Sequence, residues 1–249
     1  MPISVVINTY NASKHLAEVL ETVKDFDEVL ICDMESTDNT LEIAERYGCR
    51  IVTFPKENHK SAEPARTFAI QSAKSEWVLV VDADELVTPE LKKYLYKVTE
   101  QSDPPAGLYI KRQNLFFGKY SKDWNHDYQL RFFKREGTVW PPYVHTFPTV
   151  QGRTERIPTS YLLLHLADET MSEWVAKMNQ YTDNEVLKKA DKGYGVAALL
   201  WRPTWRFLRA YLIKGGFLMG KRGLISAMLS GVYQFILVAK IIEKRLREE

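Results

Sequence analysis

Over its first hundred positions this 249-residue chain alternates apolar runs of strand length with segments whose apolar residues recur at helical spacing. Ile3 to Ile7 is a short apolar run, and Asn11-Ala12-Ser13 offers capping residues for a helix from about Lys14 to Lys24. Glu28 to Cys32 reads as the next strand, ending at Asp33. Ser36-Thr37-Asp38-Asn39 then leads into a helix carrying Leu41, Ile43, Ala44 and Tyr47, which Gly48 stops. Arg50 to Phe54 is a third strand, and Ala62 to Ala73 a third helix. A fourth strand, beginning at Trp77, runs into Asp82-Ala83-Asp84-Glu85, and a helix opens at Thr88-Pro89-Glu90. Such βαβ alternation predicts a doubly wound, mostly parallel sheet. After Asp103-Pro104-Pro105 the pattern turns aromatic. Leu108 to Ile110, Leu115 to Phe117, Tyr128 to Phe133, Val144 to Val150 and Leu162 to His165 all read as strands.

In an open α/β sheet, ligands bind beyond the carboxyl ends of the strands. Asn8-Thr9, Asp33 and Asp82/Asp84 fall there from three separate strands. Each alone could be a turn or a helix cap, the commoner role for Asp and Asn. Asp82, Asp84 and Glu85 crowd three carboxylates into four positions, and a divalent cation bridging to phosphate oxygens would relieve their repulsion. A strand followed by an acidic turn is the plainer interpretation of the same residues. Neither G-x-G-x-x-G nor G-x-x-x-x-G-K-[ST] occurs, so phosphate is not cradled by a glycine-rich loop, which strengthens the metal reading.

Charge changes the picture only through its distribution. The net charge is +2, but ten basic and three acidic residues from Trp201 onward give that segment +7 and leave −5 for the rest. Trp201, Trp205, Leu208 and Leu212 fall on one helical face, with Arg202, Arg206 and Arg209 as a stripe beside it. That pattern suits an interfacial helix on an anionic membrane surface, or equally a helix packed on the body with its basic side solvated. Gly223 to Ala239 is mostly apolar, at the short end of spanning length, and reads as monotopic or protein-packed. The basic residues interleave with bulky apolar ones, which argues against nucleic acid. Cys32 and Cys49 lack metal-ligand spacing and read as core residues in a reducing compartment. No signal peptide is visible, so a cytoplasmic location, peripheral on the cytoplasmic face of the inner membrane, is expected.

The string Ile3-Ser4-Val5-Val6-Ile7-Asn8-Thr9-Tyr10-Asn11, the Asp33…Ser36-Thr37-Asp38 segment and the Asp82-Ala83-Asp84-Glu85 turn resemble family 2 glycosyltransferases. Gln129-Leu130-Arg131-Phe132-Phe133 and Trp201-Arg202-Pro203…Gly216-Phe217…Gly220…Gly223-Leu224 look like the lipopolysaccharide core glucosyltransferase branch. The resemblance covers nearly the whole chain. It implies an α/β fold of GT-A type, a Rossmann-like sandwich with a central, mostly parallel (mixed) sheet plus a C-terminal helical extension. The expected division is a nucleotide-sugar-binding half over 1–105, an acceptor-binding half over 106–170 and a membrane-associating extension over 171–249. It further implies an inverting transferase using a nucleotide-diphosphate sugar, UDP-linked, with Mg²⁺ or Mn²⁺. The acceptor is then a lipid-linked or lipopolysaccharide-core sugar. Asn8, Thr9, Tyr10, Asp33, Arg66, Asp82, Ala83, Asp84, Gln129 and Arg131 are the implied donor-binding residues, and Asp82 and Asp84 the metal ligands. Two departures stand out: Thr67 replaces an asparagine after Arg66, and Thr146 a glutamate after His145.

Inverting transfer needs a base for the acceptor hydroxyl and positive charge on the leaving diphosphate. Asp127, at the entry to the Tyr128-Gln129 strand, is the favoured base, with Glu85 and His145 as runners-up. Arg66 and Arg131 are candidates for the diphosphate, and Trp124 and Tyr128 for stacking on a sugar. His15, His59, His126 and His165 have no zinc spacing and receive no role. A polyprenyl-phosphate sugar synthase and a non-catalytic nucleotide-sugar-binding membrane protein are the competing functions.

Overall fold

The computed structural model describes residues 1–59, 61–120, 127–143, 146–166, 170–189 and 193–248. The chain divides into two compact units, Met1–Asn114 with His126–Ala167, and Leu115–Asn125 with Asp168–Glu249.

The first unit is built on a mixed sheet. Strand β1 (Ile3–Thr9) lies between β2 (Glu28–Asp33) and β4 (Trp77–Asp82), parallel to both, and β3 (Arg50–Thr53) extends the parallel edge beside β2. Alternation along these strands decides what each face carries. Ile3, Val5, Ile7, Trp77, Leu79 and Val81 pack on α1 (Ser13–Val23) and α4 (Pro89–Thr99). Val6, Leu30, Cys32, Val78 and Val80 pack instead on α3 (Glu63–Ser72). With both faces covered, the strands are apolar throughout, and each buried Val, Leu or Ile contributes roughly 1.5–3 kcal/mol. Helix α2 (Thr40–Arg46) joins β2 to β3, and Gly48 behind it has φ +68°, the left-handed conformation that ends a helix. Thr88 caps α4, its hydroxyl accepting from the Leu91 N–H at 3.3 Å.

Beyond β4 the sheet turns antiparallel. β8 (Tyr128–Lys134) pairs with β4, and β6 (Gly107–Phe116) with β8. β10 (Leu162–His165) runs parallel to β6, and β5 (Glu85–Val87) closes this edge antiparallel to β10. The return of β5 places the Asp82–Glu85 turn beside the end of β10, with His165 in register with Glu85.

Two expectations need correction. Leu108–Ile110 and Leu115–Phe117 belong to one strand up to Phe116, where Phe117 and Gly118 turn the chain at positive φ. In the segment expected as a strand over Val144–Val150, the described residues 146–150 make only an isolated bridge, Thr149 with Val139. Pro148 has no N–H to give a ladder, and Pro141-Pro142 precede the segment. The short β9 (Thr154–Arg156), parallel to β6, was not expected.

The second unit contains the end of β6 paired with β7 (Lys119–Tyr120), and the helices α5 (Met171–Lys189), α6 (Ala197–Leu208) and α7 (Gly220–Glu248). α6 continues into a π-helical turn, Arg209–Ile213. α7 buries Ala227, Gly231, Gln234, Val238 and Ile241, residues at helical spacing. A Cβ at Gly231 would stand 3.2 Å from the Pro203 carbonyl oxygen, so the small residue allows α6 and α7 to approach. Leu224, Ile225, Met228, Val232 and Phe235 are exposed on the same helix. The stretch Gly216–Glu248 is long and apolar enough to cross a membrane by length and composition.

Candidate active site

The cleft of about 420 Å³ at the carboxyl ends of β1 and β4 is lined by Asn8, Thr9, Tyr10, Lys56, Ala83 and Asp84, among others. Five residues expected at the donor therefore meet there. The Asn8 amide is buried, and neither its oxygen nor its nitrogen has a hydrogen-bond partner among the described residues. Such a group costs roughly 1–3 kcal/mol unless something else satisfies it. Asp33 lies beneath this surface. Its Oδ1 accepts from Thr9 Oγ1 at 2.7 Å and Ser36 Oγ at 2.6 Å, and its Oδ2 from the Ser36 N–H at 2.8 Å. The Asn11 N–H donates to Ser36 Oγ and Asn11 Oδ1 accepts from the Thr37 N–H, both at 2.8 Å, so the loops after β1 and β2 are laced together.

Behind the cleft, three carboxylates and three guanidiniums interlock. Asp82 Oδ1 accepts from Arg66 Nη2 at 2.8 Å, and Asp82 Oδ2 from Arg131 Nη2. Arg131 Nη2 also donates to Glu85 Oε1 at 3.2 Å, and Arg112 Nη1 reaches that same oxygen at 3.5 Å. Arg112 Nε donates to Asp127 Oδ2 at 2.9 Å. The formal charges cancel, which removes the repulsion that three adjacent acids would otherwise generate. Burial pushes the Asp82 carboxyl upward, but the charges of Arg131 and Arg66 outweigh it and hold the group well below the carboxylate range. Glu85 goes the other way: burial, with the Asp82 charge beside it, raises its carboxyl against the pull of Arg131 and Arg112. Glu85 is wholly buried, and its Oε2 accepts the Asp82 N–H at 3.1 Å. Arg66 and Arg131 lie 4.5 Å and 5.8 Å over the Trp140 ring, a residue that sequence reasoning missed. The Thr67 hydroxyl donates to the Trp140 carbonyl at 3.0 Å and accepts its N–H at 2.9 Å. That clasp is the use this chain makes of its departure at position 67. Thr146 Oγ1 donates to the Tyr143 carbonyl at 2.6 Å.

Asp127 accepts from Arg112, from Asn114 Nδ2 at 3.2 Å and from Gln129 Nε2 at 2.6 Å. Burial raises its carboxyl, yet the Arg112 charge and these donors together lower it, so Asp127 stays ionised. Because Asn114 gives its Nδ2 to Asp127, its Oδ1 faces His165 Nδ1, at 2.8 Å, and must accept. The Nδ1 proton of His165 is thereby assigned, and Nε2 faces Asp84 Oδ2, 3.3 Å away. A ring nitrogen set against a carboxylate is satisfied by a second imidazole proton, as an ion pair, or by a cation shared between them. Among the described residues no cluster of three or more His, Cys, Asp or Glu could hold a metal, so a cation here would use Asp84 and His165 and take other ligands from elsewhere. Mg²⁺ normally does this with one or two carboxylates and substrate phosphates. Asp82, expected as a co-ligand, is instead engaged by two arginines. His165 was given no role, although it ends its strand as Asp33 and Asp82 end theirs. His145, Trp124 and His126 lie outside the described residues.

The profile described as Glycosyl transferase family 2 matches residues 4–153. The chain is 25% identical to the lipopolysaccharide core biosynthesis glycosyltransferase LpsC of Rhizobium meliloti over 98% of its own length and 93% of that protein's. Among solved structures it is similar to the mannosyltransferase PcManGT of Pyrobaculum calidifontis in complex with GDP-Man and Mn²⁺. There the TM-score is 0.58, at 16% identity, over 96% of this chain and 86% of that one. S. aureus TarS in complex with UDP superposes with a TM-score of 0.52, at 16% identity, over 100% and 92%. The expected GT-A-type mixed α/β architecture agrees with these folds.

Proposed function

The chain belongs to glycosyl transferase family 2 and is a glycosyltransferase, and on that premise we propose that it moves a hexose, with inversion, from a UDP-linked donor to a lipid-linked or lipopolysaccharide-core sugar. The observation that carries the donor half of this reading is the facing of Asp84 and His165 across 3.3 Å at the cleft rim. A divalent cation, Mg²⁺ or Mn²⁺, would be held by these two and would screen the negative charge of a departing diphosphate. The Mn²⁺ and nucleotides bound by the structural relatives support the same reading, as does the role in the name of LpsC.

The chain's own groups divide the remaining work. Asn8, Thr9 and Tyr10 receive the nucleotide, with the unpartnered Asn8 amide turned to use. Asp82 holds Arg66 and Arg131 in place behind the diphosphate. Asp127, kept ionised by Arg112, takes the proton of the acceptor hydroxyl. Glu85, fully enclosed, acts as a positioning residue that spaces Arg131 from Arg112. The second unit, with Trp201 and Trp205 half-exposed and a basic stripe beside them, engages the anionic cytoplasmic face of the inner membrane.

The test is transfer itself. The protein is incubated with UDP-hexoses, Mn²⁺ and a deep-rough lipopolysaccharide acceptor, and the product's anomeric configuration is read by NMR. Transfer with inverted configuration is expected. Retained configuration overturns the mechanism, and labelled product that partitions as a polyprenyl phosphate overturns the acceptor.

A further inference from the structure

A cleft of about 390 Å³ in the second unit is lined by Lys189 of α5, by Trp201, Arg202, Trp205 and Arg206 of α6, by Arg209 of the π-turn, and by Gln234 of α7. Four cations face one small space. Lys189 is paired with Glu185 at 2.9 Å, but Arg202, Arg206 and Arg209 have no carboxylate within salt-bridge distance among the described residues. Elsewhere on α7, Lys240 is matched with Asp183 at 2.7 Å and Arg247 with Glu243 at 2.8 Å. Arg206 and Arg209 are exposed and Arg202 partly buried, so water screens their repulsion, and the three present a concentrated positive charge on which an anion is favoured.

Two further observations point to a ligand. Gln234 is only 5% exposed, and its Nε2, a donor, has no hydrogen-bond partner among the described residues. Arg202 stacks over the rings of Tyr194 at 4.6 Å and Trp201 at 5.5 Å, and its buried Nε is likewise unpartnered. Stacking holds the plane of a guanidinium and leaves its N–H edge for an oxygen anion, the geometry suited to phosphate. The rim is apolar, with Trp201 and Trp205 about half exposed and Leu208, Leu212 and Ile213 following them. Tryptophan beside arginine suits the level of a lipid headgroup.

We propose that this cleft binds the phosphate of an anionic membrane lipid, with Arg202, Arg206, Arg209 and the Gln234 amide as donors and Trp201 and Trp205 seated among the neighbouring acyl chains. The proposal rests on the reading that the second unit meets an anionic membrane and adds a defined site to it. A diffuse basic surface would respond to net charge alone, whereas a site responds to which residues carry the charge.

The experiment measures binding of the full chain to phosphatidylcholine vesicles with and without phosphatidic acid, by co-sedimentation. Arg206→Gln/Arg209→Gln removes two charges from the cleft, and Lys221→Gln/Lys244→Gln removes two outside it. Gln234→Leu removes the buried donor at constant charge, and thermal melts confirm that each variant is folded. The cleft pair is expected to lose at least about tenfold more affinity for phosphatidic acid vesicles than the control pair, with Gln234→Leu also weakened. Equal loss in both pairs overturns the site while leaving the membrane reading intact. Absence of vesicle binding by the unmodified chain overturns the membrane reading and the site with it. If inorganic phosphate raises the melting temperature of the unmodified chain but not of the cleft pair, and no vesicles bind, the ligand is a soluble phosphate and the lipid assignment fails.

Discussion

Asp84 Oδ2 and His165 Nε2 stand 3.3 Å apart, and the Asn114 amide, committed to Asp127 on one side, holds the other edge of the imidazole so that Nε2 is turned to the carboxylate. The candidate base and the candidate cation ligands are thus joined through one asparagine.

His165→Ala removes one of the two ligands and leaves the fold. The Mn²⁺ concentration giving half-maximal transfer is expected to rise by at least about tenfold. Asn114→Leu, which frees the ring to turn, is expected to cause a smaller shift in the same direction. Titrating Mn²⁺ against initial rate, and against the UDP-induced rise in melting temperature, checks both. Unchanged metal dependence in His165→Ala would remove the site.

Asp127→Asn keeps the shape of the side chain but cannot accept a proton. Transfer is expected to fall by about 10²–10⁴-fold while UDP binding, followed by calorimetry, is preserved. Turnover near that of the unmodified enzyme would show that another group is the base.

Arg131 is the hub of the buried charges, 3% exposed and bonded to both Asp82 and Glu85. Arg131→Met leaves two carboxylates without it, and a loss of about 3–5 kcal/mol is expected in urea unfolding. Adding Asp82→Asn should restore part of that loss. Purely additive effects would mean the two residues are not coupled.

The two kinds of carboxylate respond oppositely to pH. Asp82 and Asp127 have lowered pKa values in the folded chain, so their stabilisation is present above the unfolded values and is lost as pH falls through the folded ones. Glu85 is raised, so it disfavours the folded state once pH climbs above its ordinary range and it must ionise while buried. Glu85→Gln is neutral at every pH. Relative to the unmodified chain, it should gain stability between about pH 5 and about pH 8. Urea midpoints at the two values decide the matter, and a constant difference would contradict the assignment.

Much of the first unit was legible in the sequence because its elements are short, local and strongly periodic. The acidic end of β4 was legible too, since a buried strand that stops at carboxylates leaves few alternatives. The partners of those carboxylates were not. Arg66 and Arg131 reach Asp82 from 16 positions before it and 49 after it, and no local pattern encodes such pairings. His165 could have been found by the strand-end rule that selected Asp33. Spacing suited to zinc sites was the wrong measure for a histidine that meets a single carboxylate. Over the described residues 146–150 the expected strand failed for a simpler reason: apolar composition was weighed there without Pro148, which interrupts it.

The Thr67–Trp140 clasp has a broader consequence. It fastens an indole from an irregular connection to α3, and that indole is the surface on which both arginines rest. Substitutions in the connection between β8 and β9 therefore act on the charge pair through a single ring, without disturbing the strands.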